Sequence, residues 1–164
     1  MKIIEDISFH GHRNVIDRNI ILPKGVEHII FTGFDIIEKS SILDALAFNK
    51  IDTISINSNN AYQVVVWNRD DVNGNIKKLK QLQSTPTILI IEEAEYGLDT
   101  QHQKEFLSEL TISYPNIQVF ASTSSPFIFP KTNKFAIYNL ESSKLYTDLE
   151  KKKYDELGQI AFCL

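Results

Sequence analysis

Two stretches carry the side chains that could do chemistry. The first is Gly33 to Ser41, GFDIIEKSS, placed between a short β run and a helical stripe. A phosphate-binding loop has the pattern G-x-x-x-x-G-K-[ST]: backbone N–H groups wrap the phosphates, the lysine reaches the terminal ones, and the hydroxyl binds magnesium. Gly33, Lys39 and Ser40 stand at those spacings, with Ser41 behind them. Glu38, however, occupies the place of the second glycine, and Ile36 and Ile37 fill positions that usually take small residues. Glycine lets the backbone approach an anion, whereas a glutamate there sets negative charge beside phosphate. The alternative at this point is a strand and helix with a chance Lys-Ser pair.

The second stretch is Thr87 to Asp99, TILIIEEAEYGLD. A continuous apolar run bounded by Pro86 and by acids reads as a strand buried on both faces of a parallel sheet. Its acids, Glu92 and Glu93 first, then emerge at the carboxyl end, where open α/β sheets place their ligands. The alternative is a solvated strand end, since loop ends are often charged.

The elements that must position these groups follow from hydrophobic period and turn chemistry. Ile3 to Phe9 and Val15 to Leu22 alternate loosely around a polar turn at Gly11 to Asn14, which predicts an antiparallel hairpin. Pro23, Lys24 and Gly25 make a second turn, and His28 to Phe31 a short strand before Gly33. Ser40 to Phe48 predicts a helix with Ile42, Leu43, Ala45, Leu46 and Ala47 on its stripe. Ile51 to Ile56 and Tyr62 to Trp67 read as strands, Asn68 to Asn75 as a polar turn, and Ile76 to Gln83 as a short helix. Beyond Asp99, Thr100 and Gln103 have capping-box spacing before a helix carrying Phe106, Leu107 and Leu110. Ile117 to Ala121 is another apolar run, Lys134 to Asn139 and Lys144 to Leu149 a closing hairpin, and Tyr154 to Leu164 a last helix.

Composition bounds the function. With 164 residues and 43% hydrophobic content, one domain with a sizeable core is expected across residues 1–164. Net charge of -4 disfavours direct nucleic-acid binding. Cys163, the one cysteine, permits no intramolecular disulfide and reads as a small apolar residue of the last helix. His10, His12, His28 and His102 share no ligand spacing, which favours surface or hairpin roles over metal binding. Trp67, Phe120, Phe127 and Phe129 read as packing, and Lys151 to Lys153 as a solvated helix start. The amino end lacks signal-peptide regions and no apolar run approaches about 18 residues, so the expectation is a soluble, cytoplasmic protein without a membrane partner.

The order of these pieces resembles the ATPase heads of the ABC superfamily, especially SMC-like and OLD-like proteins and the related AAA-type ATP-binding proteins. In that comparison Gly33, Lys39 and Ser40 match Walker A; Ile88 to Ile91 with Glu92 and Glu93 resembles Walker B; Gly97, Leu98 and Asp99 resemble the D-loop; and Ala121 to Pro126, ASTSSP, resembles the switch segment. The resemblance implies a P-loop NTPase-like α/β fold: a mostly parallel central sheet flanked by helices, with an antiparallel N-terminal hairpin. It also implies ATP and Mg2+ as cofactors, with Gly33, Glu38, Lys39, Ser40, Ser41 and Asp99 at the nucleotide and Ser40 and Glu92 at the metal. Glu93 would polarise the attacking water and Ser124 would stand where the switch histidine contacts the terminal phosphate. A homodimer or a larger protein partner is implied too, with Asp99 and Ser124 near the interface; Tyr96 reads either as an interface anchor or as simple packing at a strand end.

Departures from the family pattern shape the functional expectation. Glu92 replaces the usual aspartate and is one methylene longer, Ser124 cannot carry the charge of a histidine, and no signature motif is visible. Asp71 to Asn75 stands near where that motif belongs but reads as a turn, and Gln63 matches the Q-loop glutamine by spacing alone. The interval between the two Walker-like motifs leaves little room for the helical subdomain. Phosphoryl transfer depends on many positioned groups at once, so these losses favour a degenerate domain acting as a binding or assembly module. A slow but active Mg-dependent ATPase is the rival, and a plain α/β domain with accidental K-S and E-E pairs is the third alternative.

Overall fold

The computed structural model describes residues 2–11, 14–48 and 61–162, and residues 54–58 by their backbone. A mostly parallel six-stranded sheet forms its centre. Its strands are β3 (His28–Thr32), β5 (Gln63–Val66), β6 (Thr87–Ile91), β7 (Ile117–Ser122), β8 (Phe135–Asn139) and β9 (Lys144–Tyr146), in the order β5-β6-β7-β3-β8-β9. All neighbours pair in parallel except β9, which closes antiparallel on β8. A second sheet is antiparallel, with order β2-β1-β4: β1 (Ile4–Phe9) and β2 (Arg18–Ile21) form the expected hairpin, and β4 (Ile54–Ser58) adds to its other edge.

Strict alternation explains why the central strands are apolar throughout. Ile29 and Phe31 of β3, Ile88 and Ile90 of β6, Phe120 of β7 and Ala136 and Tyr138 of β8 face one core, shared with the antiparallel sheet and helix α1 (Ile36–Phe48). Ile30, Leu89, Ile91, Val119, Ala121, Phe135 and Ile137 face the other, covered by α2 (Val72–Gln81), α3 (Thr100–Ser113) and α4 (Tyr154–Phe162). A strand covered on both sides has no polar face to show. The two sheets are tied by Gln118, fully buried in β7, whose carbonyl oxygen accepts the amides of Ile3 and Ile4 while its amide donates to the Ile4 carbonyl. Each polar atom of that glutamine is therefore satisfied where burial would otherwise penalise it.

Several boundaries differ from the sequence expectation, each for a capping reason. Helix α2 begins at Val72, inside the stretch expected to be a turn, because the Asp71 side chain accepts the Gly74 amide as N-cap. Helix α3 is capped by Asp99 rather than by a Thr100–Gln103 box: the Asp99 carboxylate accepts the His102 amide at 2.9 Å. His28 is buried rather than superficial, its Nδ1 accepting the Val119 amide at 3.0 Å, and burial pushes it down to about 3. Residues 51–53, His12 and Cys163, on which strand, surface and packing expectations fell, lie outside the described residues. Among the described residues no helix is long and apolar enough to cross a membrane.

Candidate functional site

The carboxyl ends of the parallel strands bring both chemical stretches together. Gly33 follows β3 with φ of +135°, a conformation that favours glycine, and a Cβ there would meet the Glu141 carboxylate at 2.5 Å. The Glu141 side chain, from the turn between β8 and β9, accepts the Phe34 amide. Helix α1 then starts at Ile36, four residues before the Ser40 start that the sequence suggested. The cause is Asp35: its carboxylate accepts the Glu38 amide at 3.0 Å, and its carbonyl accepts the Lys39 amide at 3.2 Å. Ile36 and Ile37 are thus first-turn helical residues with side chains in solvent, 61% and 64% exposed, not members of a loop wrapped around an anion.

The charged residues of the loop are paired from within. Glu38 is buried and forms an ion pair with Arg18 of β2, the two side chains 9% and 4% exposed, and it also accepts the Ile16 amide. Arg18 donates further to the carbonyls of Ile16 and Leu140. Lys39 Nζ donates to the Thr123 carbonyl at 3.3 Å and to Ser124 Oγ at 3.1 Å. Burial pulls Lys39 below the usual lysine range, against the opposing pull of the carboxylates of Glu95, Glu141, Glu93 and Asp35. Ser40 donates to Glu92, and Ser41 is half-buried along α1.

Past β6 the chain turns sharply at Glu93, whose φ of +49° is unusual for a residue with a side chain. The turn is pinned to the end of β7, where Ser122 Oγ accepts the Glu93 amide at 3.1 Å and the Ser122 carbonyl accepts the Ala94 amide at 2.9 Å. The Glu93 carboxylate is held by Arg69 at 2.6 Å. Glu95 accepts the Thr123 hydroxyl at 2.6 Å and the Ser124 amide at 2.7 Å.

Gly33, Lys39, Ser40, Glu92, Glu93 and Ser124 therefore share one edge of the sheet, with Glu38 buried just behind them. Asp99 stands elsewhere in role: exposed, it caps α3, and the His102 amide, then its ring, holds it below the usual aspartate range. Gln63 is misplaced for a loop at this edge, because it opens β5 opposite Thr87, at the amino end of the parallel strands. The groups that sequence reasoning missed are Arg18, Arg69, Glu95 and Glu141. Glu95 could have been found in the acidic run after β6, whereas the other three come from a hairpin strand and two turns without a motif.

As arranged, these residues do not fit a triphosphate. The cleft between Ile36, Lys39, Ser40, Glu92, Glu93, Ser122, Thr123 and Ser124 measures about 10 Å³, room for about one water. The Phe34 and Glu38 amides already serve carboxylates, and Glu141 stands over the glycine. A magnesium ion would find one carboxylate and one hydroxyl, Glu92 and Ser40, that already bond each other. Among the described residues no group of three or more His, Cys, Asp or Glu side chains is set to hold a metal ion.

No family model matches the chain, and no curated protein matches it in sequence. Among solved structures it is similar to CbiO1 from Clostridium perfringens, described as part of the ABC transporter complex CbiONQ, with a TM-score of 0.55 and 10% identity. The match covers 92% of this chain and 90% of that one. The strand order, the flanking helices and this likeness together define an ABC ATPase-like α/β fold.

Proposed function

We propose that this chain is a degenerate ABC ATPase-like domain, on the SMC-like and OLD-like side of that group, that serves as a binding or assembly module and not as an efficient nucleotide hydrolase. The observation that carries this is the internally satisfied loop: Asp35 caps a helix that starts at Ile36, and Glu141 takes the Phe34 amide over Gly33. Carboxylates thus take amides that an anion-binding loop would offer, and a triphosphate would have to displace them against like charge. The protein acts in the cytoplasm as a homodimer or with a larger protein partner; the resemblance to ATPase heads and the description of CbiO1 as part of a complex support association. Isothermal titration with ATP and Mg2+, with Lys39→Ala alongside, tests the reading. The expected result is no saturable binding in either protein; tight binding lost in Lys39→Ala would overturn it.

One observation favours a slow ATPase as the second reading: Lys39, Ser40, Glu92 and Glu93 lie together around one cleft. That reading requires Glu141 and Asp35 to release the loop on binding. A phosphate-release assay decides, because it requires turnover above a Glu93→Gln control.

A further inference from the structure

Beside the closed loop lies open space. The end of β5 and the turn after β6 border an open cavity of about 360 Å³ walled by Trp67, Asn68, Arg69, Asp70, Glu92 and Glu93. A neighbouring, mostly apolar space of about 190 Å³ shares Trp67, Arg69, Glu92 and Glu93 and is also lined by Tyr96. The larger volume falls in the range of small-ligand sites. Its wall carries three carboxylates against one cation, so an anion is disfavoured there.

Arg69 indicates what the wall accepts. Its guanidinium carbon lies 4.4 Å from the centroid of the Tyr96 ring while its Nη1 donates to Glu93 at 2.6 Å. A ring face and a carboxylate acting on one planar cation is the arrangement by which proteins recognise guanidinium groups. Both partners are about half exposed, so this resident pair is weak and can exchange.

We infer that this cavity and the apolar space beside it together form a recognition site for a guanidinium-bearing ligand, bound through the carboxylates of Glu92, Glu93 and Asp70, the Trp67 side chain and, in the adjoining space, the Tyr96 ring, with Arg69 as an internal stand-in. The inference does not depend on whether nucleotide binds: it concerns a cation, and it uses the open end of the edge. The guanidinium can belong to a free small molecule or to an arginine of a partner protein.

The test is an NMR titration of the full chain with agmatine and, separately, with the blocked tripeptide Gly-Arg-Gly and its Gly-Gln-Gly counterpart. Saturable shifts at the Trp67 indole and the Glu93 amide, with dissociation constants on the order of 1 mM, are expected for the cations and none for the glutamine peptide. Tyr96→Ala weakens binding about tenfold, Tyr96→Phe retains it, and Arg69→Ala strengthens it by vacating the stand-in's place. Agmatine binding at least as tightly as the peptide identifies a free small molecule; a tighter peptide identifies a protein arginine. Absence of saturable shifts in the wild type up to roughly tens of millimolar, or wild-type affinity in a folded Tyr96→Ala, overturns the inference. Binding that occurs in Arg69→Ala alone overturns it too, since it reports only a seat emptied by mutation. Nucleotide binding reads out separately, at the Phe34 and Lys39 amides.

Discussion

Two regions along one sheet edge are built in opposite ways. At the end of β3, the segment from Gly33 to Ser40 is shut: its glutamate is buried against Arg18, its lysine donates to the end of β7, and the remaining cleft is about 10 Å³. At the end of β5, the pair Arg69–Glu93 is 50% and 43% exposed and borders a cavity of about 360 Å³. Both regions hold a carboxylate against a guanidinium. Burial separates them, because a buried pair that loses one member leaves a charge that nothing solvates, whereas water replaces a lost surface partner.

Breaking the shut region is therefore the largest expected effect. Arg18→Ala strands Glu38 in the core between the hairpin and α1, and a loss of about 3–5 kcal/mol in unfolding free energy is expected by denaturant titration. Replacing both members with hydrophobic residues, Arg18→Met with Glu38→Leu, should recover most of it, as the uncompensated charge is gone. A double variant as unstable as Arg18→Ala would show that the pair matters through its further bonds to Ile16 and Leu140.

That contrast also marks what the sequence could reveal. The continuous run from Thr87 to Ile91 predicts a strand buried on both faces, and the position of β6 between β5 and β7 agrees. The resemblance of the two stretches to Walker motifs implies that Lys39, Ser40, Glu92 and Glu93 meet, and they share one cleft. The helix start at Ile36 was not legible, because two isoleucines followed by a glutamate fit either a strained loop or a capped first turn. Asp35 decides between them through one hydrogen bond. The clamp on Glu38 depends on Arg18, twenty positions earlier, and the stopper over Gly33 on Glu141, more than a hundred positions later. Pairings at that separation leave no periodic trace. Gln118 and His28 are polar residues in buried strands, whose burial is allowed only by partners on other strands.

His28 provides a smaller effect that is independent of either region, at the far end of β3. Its ring stays neutral down to about 3 in the folded chain, whereas in the unfolded chain it titrates near the usual 6.5. Between those values the unfolded state binds the extra proton, so stability is fully present above about 6.5 and falls as pH drops, by about 1.4 kcal/mol per unit. Lowering pH from 6.5 to 4.5 should remove about 2 kcal/mol through this residue, since at 6.5 the unfolded histidine is already half protonated. His28→Asn, which keeps an acceptor for the Val119 amide, should flatten that dependence even if its own stability is lower. An equally steep acid loss in the variant would assign the acid limit to other groups.

The smallest stability effect belongs to the open end. Glu93→Gln removes a pair whose members are each more than two-fifths exposed, so screening by water leaves a change of about 0.5 kcal/mol or less. The Glu93 amide should continue to hold Ser122 Oγ, because that bond comes from the backbone and fixes the turn whatever the side chain carries. A chemical-denaturation midpoint close to wild type, with loss of guanidinium binding in the same protein, would separate ligand recognition from folding at this position. A drop comparable to Arg18→Ala would mean that Glu93 is held by its surroundings as tightly as Glu38, and the distinction between a shut and an open end would fail.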